Sequence, residues 1–200
     1  MKWIVEVRHH DPNLVVPLLK RRMHDREFMI RSFVAIGFGY KQTDEAFELL
    51  LDLIENDKDY NVRAEAANSL AKYGEQAIPH RVKLFQQDTH WLVRQSMFAA
   101  VELTKHPEIL LELSMLGLKG SDPVVKQTAI ANLGQLAKTP QASSALELLL
   151  LAANSQEVIV RAQVARVLIL FDDPKAETAL LKLRQDPDHR VVGATLEGLM

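Results

Sequence analysis

The seven histidines are the residues of this sequence that are best suited to proton transfer or metal binding. A helical metal site needs two of them four residues apart, as in HxxxH or HExxH, and the sequence contains neither pattern. It contains no cysteine, which excludes thiolate ligands, disulfides and a cysteine nucleophile. The motifs GxxxxGK[ST], GxGxxG and GxSxG are also absent. We therefore predict no catalytic residue, no metal site and no cofactor.

Basic side chains recur at a nearly constant interval, each directly after an apolar residue. We call these positions anchors; they are Arg31, Arg63, Arg94, Lys126 and Arg161, with Val192 at a degenerate sixth position. Successive anchors are separated by 32, 31, 32, 35 and 31 residues. An aspartate stands six residues before most of them, at Asp25, Asp57, Asp88 and Asp186. A charged group at such a position could bind an anion, or it could pair with an aspartate or a turn carbonyl of an adjacent repeat.

The second use would produce a structural ladder that sets the register in which the repeats stack. We predict this ladder, and anion binding is the alternative. In the ladder, Arg63, Arg94 and Arg161 should be largely buried, each within hydrogen-bonding distance of a carboxylate or a turn carbonyl.

The residues around the anchors predict helices. Apolar residues follow most anchors three, four and seven positions later, as Ala66, Ala67 and Leu70 follow Arg63, which is the buried stripe of an amphipathic helix. A second apolar segment lies between successive anchored helices. Helix pairs at a fixed period predict an all-α protein, a right-handed α-solenoid of about six pairs. We expect residues 13–200 to form it as a single domain, and residues 1–12 to be an N-terminal capping or flexible segment.

Two strings carry a resemblance to a known family. DKDYNVRAEAANSLAKYG and EQAIPHRVKLF resemble HEAT-like repeats, with a short period similar to that of phycobilisome (bilin) lyase subunits and their relatives. The resemblance covers about residues 13–200. It implies a non-catalytic protein-binding scaffold or chaperone-like factor that uses its concave face. The alternative that it implies is a bilin lyase subunit acting on phycobiliproteins, although it assigns no catalytic residue. A helical-repeat DNA glycosylase is a further alternative by architecture.

Charge and composition limit the partners. The formal net charge is -2 and the pI is about 6.4, whereas a nucleic-acid-binding domain is expected to be basic. The longest apolar run, LELLLLAA, is too short to span a bilayer. We predict a cytoplasmic protein whose partner is another protein, with a phycobiliprotein as one candidate, with no membrane partner and with nucleic acid disfavoured.

The outward face of the anchored helices predicts where that partner binds. In the first repeat this face is an apolar column, which consists of Met29, Phe33, Ile36 and Tyr40. In the third repeat, Leu92 and Leu103 occupy equivalent positions. Exposed apolar clusters of this kind mark contacts. Either a partner binds the column or the N-terminal segment folds over it as a cap. Arg81 stands where the repeat pattern prefers leucine, and we expect its guanidinium to reach the rim.

Overall fold

The computed structural model describes residues 7–98 and 105–197, and within these ranges the chain contains helices and turns and no β-strand. It divides into two compact units, residues 1–100 and residues 101–200, which we describe separately. The described residues of each unit contain three helix pairs. The predicted all-α fold of about six helix pairs is confirmed, whereas the expectation of one domain over residues 13–200 stays a prediction.

The described helices of the first unit run in consecutive pairs. The first pair is α1 (Pro12–Lys20) and α2 (Phe28–Lys41), the second is α3 (Asp44–Asn56) and α4 (Tyr60–Leu70), and the third is α5 (Ile78–Gln87) and α6 (Trp91–Phe98). A 3-10 segment, Ala71–Ala77, joins α4 to α5 and contains Gly74 at φ 56°. The second helix of each pair carries the anchor, and α4 packs on both α2 and α6.

The described part of the second unit repeats the arrangement. Its pairs are α7 (Pro107–Lys119) with α8 (Pro123–Gln135), α9 (Ala142–Ala152) with α10 (Val158–Leu168), and α11 (Pro174–Leu183) with α12 (His189–Ala194). The anchored helices again pack on one another, because α10 lies against both α8 and α12. No described helix of either unit combines the length and the apolar character that crossing a membrane requires.

Side-chain caps define where many helices begin. Thr43 accepts a hydrogen bond from the N–H of Ala46 at the start of α3. Aspartates serve α4, α8, α11 and α12 in the same way, each accepting from the N–H two residues later. These bonds satisfy N–H groups that have no partner inside the helix. Pro123 and Pro174 begin their helices, where a missing N–H costs nothing.

Close packing in the first unit depends on small residues of α2. A Cβ atom added to Gly39 would lie 2.7 Å from the Cβ of Ser69 in α4, so the two helices approach closely at this point. Helix α2 ends at Lys41 because Gln42 adopts the left-handed conformation, with φ 45°. The Gln42 side-chain amide then donates to the carbonyl of Lys72 at 2.7 Å. Both contacts hold neighbouring repeats in one register.

Residues before α1 contact the C-terminal end of α2. Val7 is buried, and the Lys41 Nζ donates to the carbonyl of His10 at 2.5 Å. The Arg8 guanidinium lies over the Tyr40 ring, 4.5 Å from its centroid. Trp3, Ile4 and Val5, which belong to the segment expected to cap the fold or to be flexible, lie outside the described residues.

Candidate functional site

Two anchors of the first unit, Arg31 and Arg63, form bidentate ion pairs with the next repeat. Arg31 donates from Nε to Asp57 Oδ2 at 2.6 Å and from Nη2 to Oδ1 at 2.9 Å. Arg63 makes the same pair of bonds to Asp88, at 2.6 and 3.3 Å. This fork-to-carboxylate geometry is the strongest form of charge-assisted hydrogen bond. These bonds occupy the guanidinium N–H groups that an external anion would need. They therefore support the structural ladder over anion binding.

Each of these aspartates joins two anchors. While the Asp57 carboxylate accepts from Arg31, its backbone carbonyl accepts from Arg63 Nη1 at 3.0 Å. The carboxylate also accepts the N–H of Asp59, which is the residue that caps α4. Asp88 is used in the same way, because its carboxylate binds Arg63 and its carbonyl binds the next anchor. The aspartate turn therefore links three elements: the previous anchor, its own anchor and a helix cap.

The second unit contains the same pairing with one substitution. Arg161 donates to Asp186 at 2.7 and 3.0 Å and to the carbonyl of Ser155 at 2.8 Å. The hydrogen bond with Arg161 lowers the pKa of Asp186, and the same bond raises the pKa of the guanidinium. Lys126 pairs with Glu157, because the position six residues before Arg161 is Ser155 and offers no carboxylate.

Arg94 differs from the other arginine anchors. Its Nε donates to the carbonyl of Asp88 at 2.6 Å, and its guanidinium lies 5.4 Å from the Phe85 ring centroid. Among the described residues it has no carboxylate partner, and the residue six positions before the next anchor is Gly120. Its expected contact with a turn carbonyl is present.

The Arg63 and Arg161 side chains are 19% and 14% exposed, so most of each is buried, as expected. Arg94 is partly exposed, and Arg31 is the most completely buried of the arginine anchors. Arg63 and Asp88 border an open groove of about 500 Å³, which admits solvent to the guanidinium.

Arg81 does not reach the rim of the molecule, as we had expected. Its side chain is 2% exposed, and Nη1 donates to the carbonyl of Met97 in α6 at 3.2 Å. Burial lowers the pKa of the guanidinium. The tertiary contact with α6 therefore holds this charge inside the unit.

The apolar column is exposed at one end and covered at the other. Met29 and Phe33, in the first turns of α2, are 56% and 45% exposed. Ile36 is half-buried. Tyr40 is also half-buried, since Arg8 and Lys72 lie over its ring at 4.5 and 4.0 Å from the centroid. The free surface is thus Met29 and Phe33 with part of Ile36, and we call it the α2 patch.

The structure describes only one of the other two predicted contact residues. Leu92 in α6 is half-buried, and Leu103 lies outside the described residues. The polar neighbours on α4 are Asn61, which is half-buried, and Asn68, which is exposed.

Glu65 belongs to the polar column that the sequence places beside the apolar one, and it is a candidate contact residue. It lies on α4 and is only partly exposed, and burial is the main cause of its raised pKa, which Lys72 opposes. Among the described residues its carboxylate has neither a hydrogen bond nor an ion pair. Its sequence position was the signal that could have identified it: Glu65 stands two residues after the anchor Arg63, as Phe33 stands two residues after Arg31.

Three exposed aromatic residues form a row that was not predicted from the sequence. Phe28, Tyr60 and Trp91 each lie three residues before an anchor, and each is about two-fifths exposed. The His90 ring stacks on Tyr60 at 3.9 Å. In the described ranges no group of three or more histidine, aspartate or glutamate residues could hold a metal ion.

The comparisons with known proteins agree with a fold of repeated helix pairs. A profile of HEAT repeats matches residues 15–102 and 111–200. The fold is similar to that of the E. coli protein YibA, with a TM-score of 0.60 and 18% identity over 92% of this chain and 72% of that chain. It is also similar to a chain from a structure of microtubule plus-end tracking by XMAP215, CLIP-170 and EB1. There the TM-score is 0.51 at 17% identity over 90% of this chain and 87% of that one. Comparison with curated protein sequences finds no match.

Proposed function

Because this chain belongs to the HEAT-repeat family, we propose that it is a non-catalytic scaffold or chaperone-like factor that binds another protein through the α2 patch. The observation that supports the proposal is the exposure of Met29 and Phe33 on a helix whose opposite face is core. Val34, Ala35 and Phe38 are at most 1% exposed. Because the side chains of Met29 and Phe33 face water, they add nothing to that core.

The residues around the patch suit a protein-binding surface. Asn61 and Asn68 on the adjacent helix supply a polar rim, which surrounds the apolar centre of most interfaces. Methionine can adjust its shape to a partner because its side chain is unbranched and polarizable. The aromatic row formed by Phe28, Tyr60 and Trp91 extends the apolar contact area along the first unit. Leu92 remains a proposed contact residue on this surface, and Leu103 remains one by its sequence position alone.

The bilin lyase subunit is the second form of this proposal, with a phycobiliprotein as the partner. Its support is the repeat period and the helix pattern, and no described residue is assigned a catalytic role in it. The cytoplasmic location that we propose is supported by the cysteine-free composition. An absorbance scan of the captured partner separates the two forms, because a phycobiliprotein carries a visible bilin spectrum.

The test of the proposed function is site-specific photo-crosslinking in the source cell. A photoreactive amino acid replaces Phe33 in one variant, and Leu151, which is 73% exposed in the second unit, in the control. We expect a discrete crosslinked protein with the Phe33 variant and none with the control. The captured protein is then purified, and its affinity for wild-type protein and for a Met29→Asp, Phe33→Asp double variant is measured by calorimetry.

The double variant should keep its helical circular dichroism spectrum, since both side chains face solvent, and should bind the partner at least tenfold more weakly. Equal binding by the variant and the wild type would show that the partner uses another surface. A variant that unfolds would show that the patch belongs to the core.

A further inference from the structure

Glu65 is positioned beside the α2 patch by the packing of α2 on α4. The two helices approach closely at Gly39 and Ser69. One helical turn towards the N-terminus, Ala35 and Glu65 lie at about the same level, since successive turns repeat every 3.6 residues. Ala35 is buried, and in the sequence of α2 it stands between Phe33 and Ile36, which belong to the apolar column. The carboxylate of Glu65 therefore borders the apolar surface of the patch.

The setting of this carboxylate is unfavourable to the free protein. Glu65 is only partly exposed, and no described residue donates a hydrogen bond to it. Lys72, the cation that acts on it, is exposed and lies 4.0 Å over the Tyr40 ring rather than within ion-pairing distance of Glu65. A partly desolvated carboxylate without donors lowers stability. A binding partner that brings a donor would remove this cost.

We propose that the α2 patch binds a peptide segment of another protein that places a lysine or arginine against Glu65 and apolar side chains on Met29 and Phe33. Charge complementarity selects this chemistry over an acidic segment, which would meet like charge at Glu65. Arg8 and Lys72 lie at the other end of the column, against Tyr40. Arg31 and Arg63, the anchors on the two helices, are paired with Asp57 and Asp88. The patch thus offers an apolar contact beside a carboxylate that has no ion pair among the described residues.

This inference rests on the proposed function, and it names the chemistry of the partner. The test uses random twelve-residue peptides displayed on phage and panned against immobilised full-length protein. Four forms are compared: the wild type, Glu65→Gln, Glu65→Lys, and a Met29→Ser, Phe33→Ser double variant. Enriched peptides are then synthesised, and their affinities are measured by fluorescence anisotropy.

We expect the wild type to enrich peptides that contain lysine or arginine next to apolar residues. The same peptides should bind Glu65→Gln about tenfold more weakly, because a charge-assisted hydrogen bond becomes a neutral one. Glu65→Lys should select acidic peptides with the same apolar pattern. Glu65→Gln should also melt at a higher temperature than the wild type, which separates a binding role from a structural one.

The contrary outcomes are distinct. Apolar peptides without a basic preference, bound equally by Glu65→Gln, would overturn this inference and leave the proposed function intact. Peptides that bind the double variant as well as the wild type, or no enrichment at all, would overturn both. Self-association abolished by the double variant would make a second copy the occupant. Peptide binding that rises when residues 1–6 are removed would make the N-terminal segment the occupant, and either result overturns this inference.

Discussion

The guanidinium of Arg31 and the carboxylate of Asp57 form a bidentate pair across one repeat, with both side chains 5% exposed. It is the most buried of the anchor ion pairs among the described residues. The hydrogen bond to Asp57 raises the pKa of Arg31. Because both charges are desolvated, each depends on the other, and removal of one leaves the second without compensation.

Replacement of the carboxylate alone should measure this dependence. Asp57→Asn keeps the backbone carbonyl that Arg63 uses, but it leaves Arg31 with a neutral partner. We expect a loss of about 3 kcal/mol in the free energy of unfolding, measured by urea denaturation. Asp52→Asn is the control, because the Asp52 side chain accepts only from Asn56 on its own helix, and it should cost under about 0.5 kcal/mol. Equal losses would mean that the Arg31 pair adds no stability.

Arg63 and Arg94 should differ in their contribution, because only Arg63 has a carboxylate partner among the described residues. We expect Arg94→Ala to lower the free energy of unfolding by about 1–2 kcal/mol, the loss of one charge-assisted bond to a carbonyl. Arg63→Ala should lower it by about 1–2 kcal/mol more, because Asp88 is then left with an uncompensated charge. Urea denaturation of both variants measures the order. A larger loss for Arg94→Ala would contradict the ladder.

The Arg161–Asp186 pair should make stability depend on pH in the acid range. The pKa of Asp186 in the folded protein lies below its ordinary value of 3.8, chiefly because of the hydrogen bond from Arg161. The unfolded chain therefore takes up a proton first, so the contribution is complete above about pH 5 and is lost as the pH falls through the folded pKa. Thermal melts of the wild type and Asp186→Asn should differ most near neutral pH and converge in acid. A difference that grows on acidification would refute the assignment.

The two glycines Gly39 and Gly193 should respond oppositely to alanine. At Gly39 the added Cβ would meet Ser69 at 2.7 Å, so we expect Gly39→Ala to destabilise the protein by about 1–3 kcal/mol through overpacking. At Gly193 nothing lies within 4 Å of an added Cβ, so Gly193→Ala should stabilise α12 by about 0.5–1 kcal/mol. Differential scanning calorimetry gives both signs. A neutral Gly39→Ala would indicate that α2 and α4 separate readily.

The local pattern of the sequence determined the helices and the partners available to the anchors. The period near 31 residues and the apolar stripe that follows each anchor predict the helix pairs, because helical periodicity and turn chemistry are properties of short segments. The aspartate six residues before an anchor predicts the turn that the anchor contacts. The ladder was predicted to reach an adjacent repeat, which Arg63 does through Asp88, whereas its bond to the carbonyl of Asp57 lies within its own repeat.

Only the tertiary structure decided which groups water reaches. Arg81 is buried because its guanidinium contacts the carbonyl of Met97, sixteen residues away, and no local pattern encodes that contact. Phe33 and Tyr40 belong to one apolar column, yet Tyr40 is covered by Arg8 and Lys72 while Phe33 remains exposed. Glu65 reads in sequence as an ordinary solvated carboxylate, and it is only partly exposed in the folded unit. Burial depends on contacts between segments that are distant in the chain, and these exist only once the helices have packed.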